Sequence, residues 1–195
     1  MKILKSALLV LGIGVAAVLA FAASKPDHYH IERSATIAAA PEVVFEQLND
    51  FHRWEAWSPW EKLDPALKRT FAGPPSGKDA SYAWVGNDKV GEGRMTIVES
   101  EPGARVGIKL EFIKPWTETC RAEFSLAPEV ASTRVMWAMD GNRNYMSKIL
   151  CVFMDMDKMI GADFEKALGQ LKTVAESAPA AAAAEEPATP MAGGK

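Results

Sequence analysis

The chain has 195 residues, of which 48% are hydrophobic and 24% are charged, and its formal net charge is −3. This length and composition predict one ordinary domain with additional segments, large enough to bury a hydrophobic core. The lack of clustered basic charge excludes a typical nucleic-acid-binding surface, and the two cysteines form neither a metal-ligand spacing nor a disulfide framework.

The first predicted element is an apolar helix at the N-terminus. No charged residue occurs from Ser6 to Ser24, and a helix of that length spans about 30 Å, the thickness of the hydrocarbon core of a bilayer. The sequence AFA at residues 20–22 matches a small-x-small cleavage site, so residues 1–24 fit either a signal peptide or a retained anchor. The run is longer than the usual signal-peptide core, which favours an anchor crossing the membrane through residues 3–23.

The charges beside this helix predict its orientation. Lys2 and Lys5 precede the apolar run, and basic residues stay on the cytoplasmic side of a membrane. Both interpretations therefore place the N-terminus in the cytoplasm and the domain on the periplasmic or extracellular side. With the helix retained, the chain is a single-pass protein of the cell membrane.

Residues 25–176 form the predicted folded domain, which begins with a strand and two short helices. In HIERSATIAA, residues 30–39, apolar and polar side chains alternate as in a half-buried strand. Pro41 and the apolar residues after it predict a short amphipathic helix. A second short helix or tight turn, ending before Pro59, is predicted by the spacing of Trp54, Trp57 and Trp60.

The middle of the domain alternates with a period of two residues and predicts six strands. Two short ones are Leu67–Phe71 and Ala80–Trp84. Four longer ones are GRMTIVESE (93–101), RVGIKLEF (105–112), TETCRAEFSLAP (117–128) and STRVMWAMD (132–140). One packed face and one wetter face indicate an antiparallel sheet.

The last predicted element is one long helix from Ser147 to Glu176, because apolar residues recur there every three or four positions. Ser147 is a suitable N-cap, and Gly161 would let the helix approach the sheet closely. Residues 177–195 are rich in alanine, proline and glycine and are predicted to form a disordered tail.

The glycines of GNDKVGEGRMTI, residues 86–97, raise the question of a phosphate-binding loop. Gly86 and Gly91 have the first spacing of a Walker loop, but Glu92 and Gly93 stand where a lysine and a hydroxyl residue are required. A strand is predicted to follow, whereas a phosphate loop leads into a helix. These glycines are therefore predicted turn and bulge positions.

Three stretches carry a family resemblance: YHIERSATIAAAPEVVFEQLNDFHRWEAWSPW (29–60), GNDKVGEGRMTI (86–97) and FMDMDKMIGADFEKALGQLK (153–172). Together they resemble the SRPBCC superfamily, which includes START-type lipid-transfer and birch-pollen-allergen-like proteins. Within it they are most similar to the bacterial polyketide cyclase/dehydrase-like branch with an N-terminal membrane helix. The resemblance implies an α+β helix-grip fold, in which a curved antiparallel sheet of about seven strands surrounds a long C-terminal helix and an apolar cavity lies between. The order predicted from the residues, one strand, two helices, six strands and one helix, agrees with that fold.

Few residues suit catalysis. The acid–base candidates are Tyr82, Arg94 and Asp140, and an enzyme of the cyclase or dehydratase type would need them inside the cavity. Cys120 and Cys151 are either two small buried residues or, in an oxidising compartment, one disulfide.

One histidine pattern suggests a metal site. His28, His30 and Glu32 share one face of the first strand, and imidazole and carboxylate groups are common ligands. Side chains at the start of an edge strand are more often solvated, so we predict no metal site and no cofactor.

Tryptophan and methionine supply unusual apolar bulk, with six and nine copies. Methionine adapts to irregular apolar partners, and in the implied helix-grip fold many core residues also line the cavity. The predicted ligand-lining residues are Trp54, Trp57, Trp84, Phe112, Trp137, Met139, Phe153 and Met156.

These observations favour a membrane-anchored binding or carrier module for a hydrophobic small molecule such as a lipid, an isoprenoid or an aromatic compound. Two alternatives remain. One is a closed-core interaction or scaffold domain of the cell envelope, which an exposed apolar patch in place of a pocket would favour. The other is the polyketide cyclase/dehydratase-like enzyme that the family resemblance implies.

Overall fold

The computed structural model describes residues 2–178. The helices are α1 (Lys2–Ser24), α2 (Pro41–Asn49), α3 (Trp54–Trp57), α4 (Tyr145–Phe153) and α5 (Met156–Ser177), with 3-10 turns at Phe51–Arg53 and Pro59–Lys62. The strands are β1 (His28–Ile37), β2 (Lys68–Ala72), β3 (Ser81–Val85), β4 (Glu92–Glu101), β5 (Arg105–Lys114), β6 (Glu118–Glu129) and β7 (Ser132–Asn142).

All seven strands form one antiparallel sheet in the order β1-β7-β6-β5-β4-β3-β2. The six strands from β2 to β7 follow one another as hairpins, and β1 pairs with β7 because α2 and α3 connect the two ends of the sheet. Bulges in β4 bend the sheet. The predicted α+β helix-grip fold is confirmed, and the predicted strand ends differ from the observed ones by at most two residues.

The core lies between the concave face of the sheet and the helices α2, α3 and α5. Helix α5 packs across β1 and against α3. Its buried residues recur at helical spacing, from Phe164 through Leu168 and Leu171 to Ala175. The longer strands contribute alternating residues, such as Val106 and Ile108 on β5, whereas β2 at the sheet edge contributes no buried residue.

The predicted long C-terminal helix is confirmed as α5, but its predicted start at Ser147 is wrong, because a separate helix, α4, precedes it. Met154 and Asp155 have extended backbone angles that end α4 and begin α5. The Asp155 side chain accepts a hydrogen bond from the Lys158 N–H (3.1 Å), which makes Asp155 the N-cap of α5. Asn144 caps α4 by accepting from the Ser147 N–H (2.8 Å), so the predicted N-cap at Ser147 is also wrong.

The close approach expected at Gly161 occurs against a side chain of the sheet. A Cβ at this position would collide with the Arg33 guanidinium. Arg33 donates to Asp157 (3.0 Å) and Glu165 (3.0 Å) on the same helix, so it clamps α5 onto β1. The missing side chain of Gly161 makes room for that clamp.

The glycine-rich stretch is a hairpin connection between β3 and β4, as predicted. Gly91 has a φ of +65°, and a Cβ there would also collide with the Lys114 carbonyl. A register shift between Glu92 and Gly93 marks the bulge. This backbone leads into a strand and provides no helix N-terminus for a phosphate.

Helix α1 stands outside the sheet and is long and apolar enough to cross a membrane. Its last turns contact α4: the Tyr145 hydroxyl donates to the Leu19 carbonyl (3.0 Å), and Lys148 pairs with Asp27 just after α1. Ala22 is fully buried in this contact region. At the other end of the chain α5 ends at Ser177, and residues 179–195 of the predicted tail lie outside the described residues.

Candidate functional site

The concave face of the sheet is apolar, but its side chains are covered unequally. On β5, Val106 and Ile108 are buried, whereas Leu110 and Phe112 on the same face are partly exposed. On β4, Ile97 is fully buried and Met95 is partly exposed. Because Ile97 pairs with Ile108 and Met95 with Leu110, exposure increases toward the same end of both strands. We call this end, defined by Met95, Leu110 and Phe112, the open apolar end.

The open apolar end lies on the side of the sheet where the chain leaves α1. Leu110 pairs with Cys120, Cys120 with Gly141 and Gly141 with Tyr29, one row across four strands. Tyr29 is the second residue of β1, and β1 begins only a few residues after α1 ends. The end of the apolar helix and the open apolar end therefore lie at the same end of the sheet, separated by β7 and β6.

Deeper in the fold, the space between sheet and helices is filled by an aromatic cluster. The Trp137 ring on β7 stacks on Phe164 of α5, with centroids 4.0 Å apart, and lies 4.6 Å from Phe124. Trp54 and Trp57 of α3 lie 4.7 Å apart and complete the cluster. This aromatic cluster closes the inner end of the concave face.

One polar atom in the aromatic cluster has no partner. The Trp137 indole nitrogen is buried and finds no hydrogen-bond acceptor within residues 2–178. By contrast, Trp54 donates to the Leu48 carbonyl and Trp57 to the Gln47 carbonyl, both at 3.2 Å. An unsatisfied buried donor costs roughly 1–3 kcal/mol, so an acceptor placed there would be bound favourably.

The eight predicted lining residues divide into three groups. Trp54, Trp57 and Trp137 belong to the aromatic cluster. Nearer the open apolar end lie Phe112, Trp84, whose ring centroid is 6.1 Å from that of Phe112, and the buried Met139 on β7. Met156 and Phe153 flank the break between α4 and α5, and Met156 is partly exposed.

Phe153 is the exception, and its predicted lining role needs correction. It is the last residue of α4 and is 71% exposed. The prediction assumed that Phe153 continued the buried stripe of one long helix. The break at Met154 and Asp155 places Phe153 on a separate helix beside α1.

Of the three acid–base candidates, only Tyr82 faces inward. Its hydroxyl donates to Glu61 Oε1 (2.6 Å), and the Arg69 guanidinium donates to Glu61 Oε2 (2.6 Å). Burial, followed by the hydrogen bond to Glu61, raises the pKa of Tyr82. The Glu61 side chain is only 7% exposed, and nothing in the sequence of its short turn indicated that it would be buried.

The other two acid–base candidates lie on the outer face of the sheet. Arg94 is exposed there. Asp140 Oδ1 is hydrogen-bonded to His30 Nδ1 (2.8 Å) and His28 Nε2 (3.2 Å). Both positions alternate with inward residues, Met95 and Met139, so the pleat of the sheet turns them away from the concave face. An enzyme that needs them inside the cavity is not supported by this placement.

The histidine cluster is a surface feature. The hydrogen bond to Asp140 raises the pKa of His30. Partial burial alone would raise the pKa of Asp140, but the hydrogen bonds from His30 and His28 outweigh it, so the pKa of Asp140 is lowered. Within residues 2–178 no group of three metal-ligating side chains is arranged to hold a metal ion. Asp140 also borders a shallow recess of about 490 Å³, whose lining includes Lys109 and Arg121 as well as the apolar Val98.

A second recess of about 260 Å³ lies beside the first 3-10 turn and β2, where His52 stacks on Phe71 with centroids 4.1 Å apart. Neither recess contains any of the eight predicted lining residues. The open apolar end is a different feature, identified by the loss of cover along β4 and β5.

Two residues that the sequence did not single out stand at the rim of the open apolar end. The Tyr29 hydroxyl donates to Glu118 Oε1 (2.8 Å), and its ring covers Gly141. Burial raises the pKa of the neighbouring Cys120 thiol to about 12, so this cysteine is an inert core residue. Cys151 lies on α4, is partly exposed and is not bonded to Cys120, so of the two predicted buried cysteines only Cys120 is buried.

Comparison with known proteins identifies relatives of this fold. A family model described as polyketide cyclase/dehydrase and lipid transport matches residues 28–176. No curated protein matches the sequence.

Three solved structures are similar in fold. Protein CV1439 from Chromobacterium violaceum is 14% identical with a TM-score of 0.56, and the match covers 79% of this chain and 100% of that one. DynU16, from the dynemicin biosynthetic locus, is 15% identical with a TM-score of 0.52, covering 78% of this chain and 48% of that one. Ara h 8.0201 is 9% identical with a TM-score of 0.52, covering 77% of this chain and 99% of that one. Identities this low show the fold alone.

Proposed function

Because the chain belongs to the polyketide cyclase/dehydrase and lipid-transport family, we propose that it is a membrane-anchored carrier of a hydrophobic small molecule. The molecule enters the space between the concave face of the sheet and the helices at the open apolar end, and it extends toward the aromatic cluster. A lipid, an isoprenoid or an aromatic compound has the required apolar body.

The unequal cover of the concave face is the observation that carries this proposal. A closed core would bury Met95, Leu110 and Phe112 as fully as it buries Ile97 and Ile108. Apolar surface left in water at the mouth of a concave sheet favours an apolar guest. A guest that buries about 300 Å² gains roughly 7 kcal/mol before association costs, which allows micromolar binding at best.

The unpartnered indole of Trp137 supports a guest with one polar end. Its N–H lies in the aromatic cluster. Along β7, Met139 separates Trp137 from Gly141, which belongs to the same row of paired residues as Leu110 at the open apolar end. A carbonyl or hydroxyl oxygen on the guest would accept this hydrogen bond. We therefore propose an apolar molecule that carries an oxygen acceptor at its leading end.

The position of α1 supports a retained anchor over a cleaved signal peptide. Cleavage after Ala22 would remove the Leu19 carbonyl that accepts from Tyr145 and uncover the α4 surface that α1 contacts. With α1 retained, Lys2 and Lys5 stay in the cytoplasm and the domain lies on the periplasmic or extracellular side. The carrier is then held beside a source of apolar molecules.

A matched pair of tryptophan substitutions on β5 tests the binding site. Leu110→Trp fills the concave side of the open apolar end, whereas Lys109→Trp adds the same side chain to the exposed outer face. We expect Leu110→Trp to weaken binding of the fluorescent probe N-phenyl-1-naphthylamine about tenfold, or roughly 1.4 kcal/mol, and Lys109→Trp to leave it unchanged. Equal affinities in the two variants, or no saturable binding to the unmodified chain, would contradict the proposal.

A second candidate function is an interaction domain of the cell envelope. Two observations favour it: the aromatic cluster is tightly packed, and α4 exposes large apolar residues. This candidate predicts that the chain binds no apolar probe and that a protein partner covers α4. The same probe measurement separates this candidate from the carrier.

A further inference from the structure

Helix α4 carries an exposed apolar stripe. Met146, Leu150 and Phe153 follow one another at intervals of four and three residues, so they share one face of the helix, and they are 66%, 40% and 71% exposed. Met154, directly after the helix, is 46% exposed. Burying such side chains is worth roughly 1.5–3 kcal/mol each, which makes a bare stripe in water unfavourable.

No charge interrupts this stripe. The sequence of α4 is YMSKILCVF, and its only charged residue is Lys148. Lys148 is buried and pairs with Asp27, so its charge points to the chain segment after α1 and away from the stripe. An ordinary surface helix of a soluble domain has a charged or polar outer face, and α4 has the opposite pattern.

The contacts between α4 and α1 place the first turn of α4 beside the last turns of α1. The Tyr145 hydroxyl donates to the Leu19 carbonyl, and Leu19 lies about five residues before the end of α1. At a rise of about 1.5 Å per residue, this is roughly 7–8 Å from the end of the helix. Amphipathic helices that lie in the interface of a bilayer bury their apolar face by about 5–10 Å.

We propose that α4 is an interfacial helix, whose Met146–Leu150–Phe153 stripe inserts into the leaflet at the end of α1 where the domain emerges. The proposal rests on the anchoring role of α1 given above. It commits to lipid as the occupant, because the stripe is uncharged and continuous with the part of α1 that α4 contacts. The domain then stands on the membrane through two helices, with the open apolar end beside the lipid.

Site-specific fluorescence tests the depth of α4 in the full chain. Cys120→Ala and Cys151→Ala remove the native thiols, and single cysteines are introduced by Phe153→Cys, Val130→Cys and Leu11→Cys for labelling with an environment-sensitive nitrobenzoxadiazole dye. Val130 is 99% exposed at the β6–β7 turn and serves as the aqueous control. Leu11 lies in the middle of α1 and reports on the anchor itself. The labelled chains are reconstituted into phosphatidylcholine–phosphatidylglycerol vesicles with and without lipids that carry a doxyl quencher near the headgroup.

The proposal predicts a blue-shifted emission at position 153 and quenching by the doxyl lipids several-fold stronger than at position 130. A water-like signal at 153 together with a lipid-like signal at 11 would overturn the interfacial helix and leave the anchor intact. Water-like signals at both 153 and 11 would overturn the anchor as well. A blue shift at 153 without quenching by lipid would show that a second copy or another protein covers α4. Equal quenching at 130 and 153 would also contradict the proposal, because contact would not be specific to α4.

Discussion

Glu61 is the buried charge on which the β2–β3 edge of the sheet depends. Its two carboxylate oxygens accept from Tyr82 and Arg69, each at 2.6 Å. Tyr82→Phe leaves one of these oxygens without its donor, and hydrogen bonds to charged groups contribute about 1.5–3 kcal/mol. We expect the free energy of unfolding to fall by that amount in Tyr82→Phe, as measured by thermal unfolding followed by circular dichroism in mild detergent.

The control for this change is Thr173→Val, which also removes one hydroxyl. The exposed Thr173 hydroxyl donates to the Gly169 carbonyl (3.1 Å) on α5, so solvent replaces its hydrogen bond and we expect a cost below about 1 kcal/mol. If both variants lost the same small amount of stability, the Glu61 network would contribute no more than an exposed hydrogen bond.

The His30–Asp140 pair on the outer face predicts a pH dependence. The folded state raises the pKa of His30 above its ordinary value of 6.5 and lowers that of Asp140 below 3.8. The stabilisation due to His30 is fully present below pH 6.5 and is lost as the pH rises through its folded pKa. That due to Asp140 is present above pH 3.8 and is lost as the pH falls through its folded pKa. Both side chains are more than a third exposed, so the pair contributes less than about 1 kcal/mol between these limits.

Asp140→Asn tests this pair directly. An NMR titration of the His30 ring protons should show a pKa above 6.5 in the unmodified chain and a value shifted back toward 6.5 in the variant, because the carboxylate is gone. An identical titration curve in both proteins would contradict the assigned contact.

The alternation of side chains along the strands predicts most of the concave face. Alternation along STRVMWAMD puts Val135, Trp137 and Met139 on one face of β7, and all three are buried. The same alternation places Asp140 on the other face, so the sequence already indicates that Asp140 does not point into the concave face. The burial of Glu61 could not be predicted from the sequence. It depends on hydrogen bonds from Tyr82 and Arg69, which lie 21 and 8 residues away along the chain.

At the scale of elements, the break between α4 and α5 separates two different surfaces. Helix α5 packs on the sheet, and α4 packs on α1. The sequence does not reveal this break through hydrophobic spacing, because Ile149, Phe153, Met156 and Ile160 continue the helical period across it. The decisive feature is the Asp155 cap, a local hydrogen bond that competes with a continuous helix.

Asp155→Ala tests the capping role. Loss of an N-cap costs about 1 kcal/mol, which corresponds to roughly 2–4 °C in the melting temperature of a domain of this size. Asp163→Ala is the matched control, because Asp163 lies exposed within α5 and alanine is the better helix former. We expect Asp163→Ala to be neutral or slightly stabilising in the same thermal melts. Equal melting temperatures for the two variants would show that Asp155 does not determine where α5 begins.

At the scale of the whole molecule, three features lie toward one end of the sheet. The end of α1 and helix α4 lie near the start of β1, and the open apolar end lies at the same end of the sheet across β7 and β6. The family resemblance predicts the helix-grip fold, and the apolar N-terminal run predicts α1. Their relative placement follows only from the strand register and from the contacts of Tyr145 and Lys148. In the proposed carrier, this arrangement would let a molecule pass between the bilayer and the concave face of the sheet at one end of the domain.

Native mass spectrometry of the full chain, purified from membranes in mild detergent, tests the carrier function most directly. We predict that the unmodified chain and Lys109→Trp each carry the additional mass of one apolar molecule, and that Leu110→Trp does not. A folded, unmodified chain that carries no additional mass, and that stays empty after incubation with a total membrane lipid extract, would contradict the carrier function.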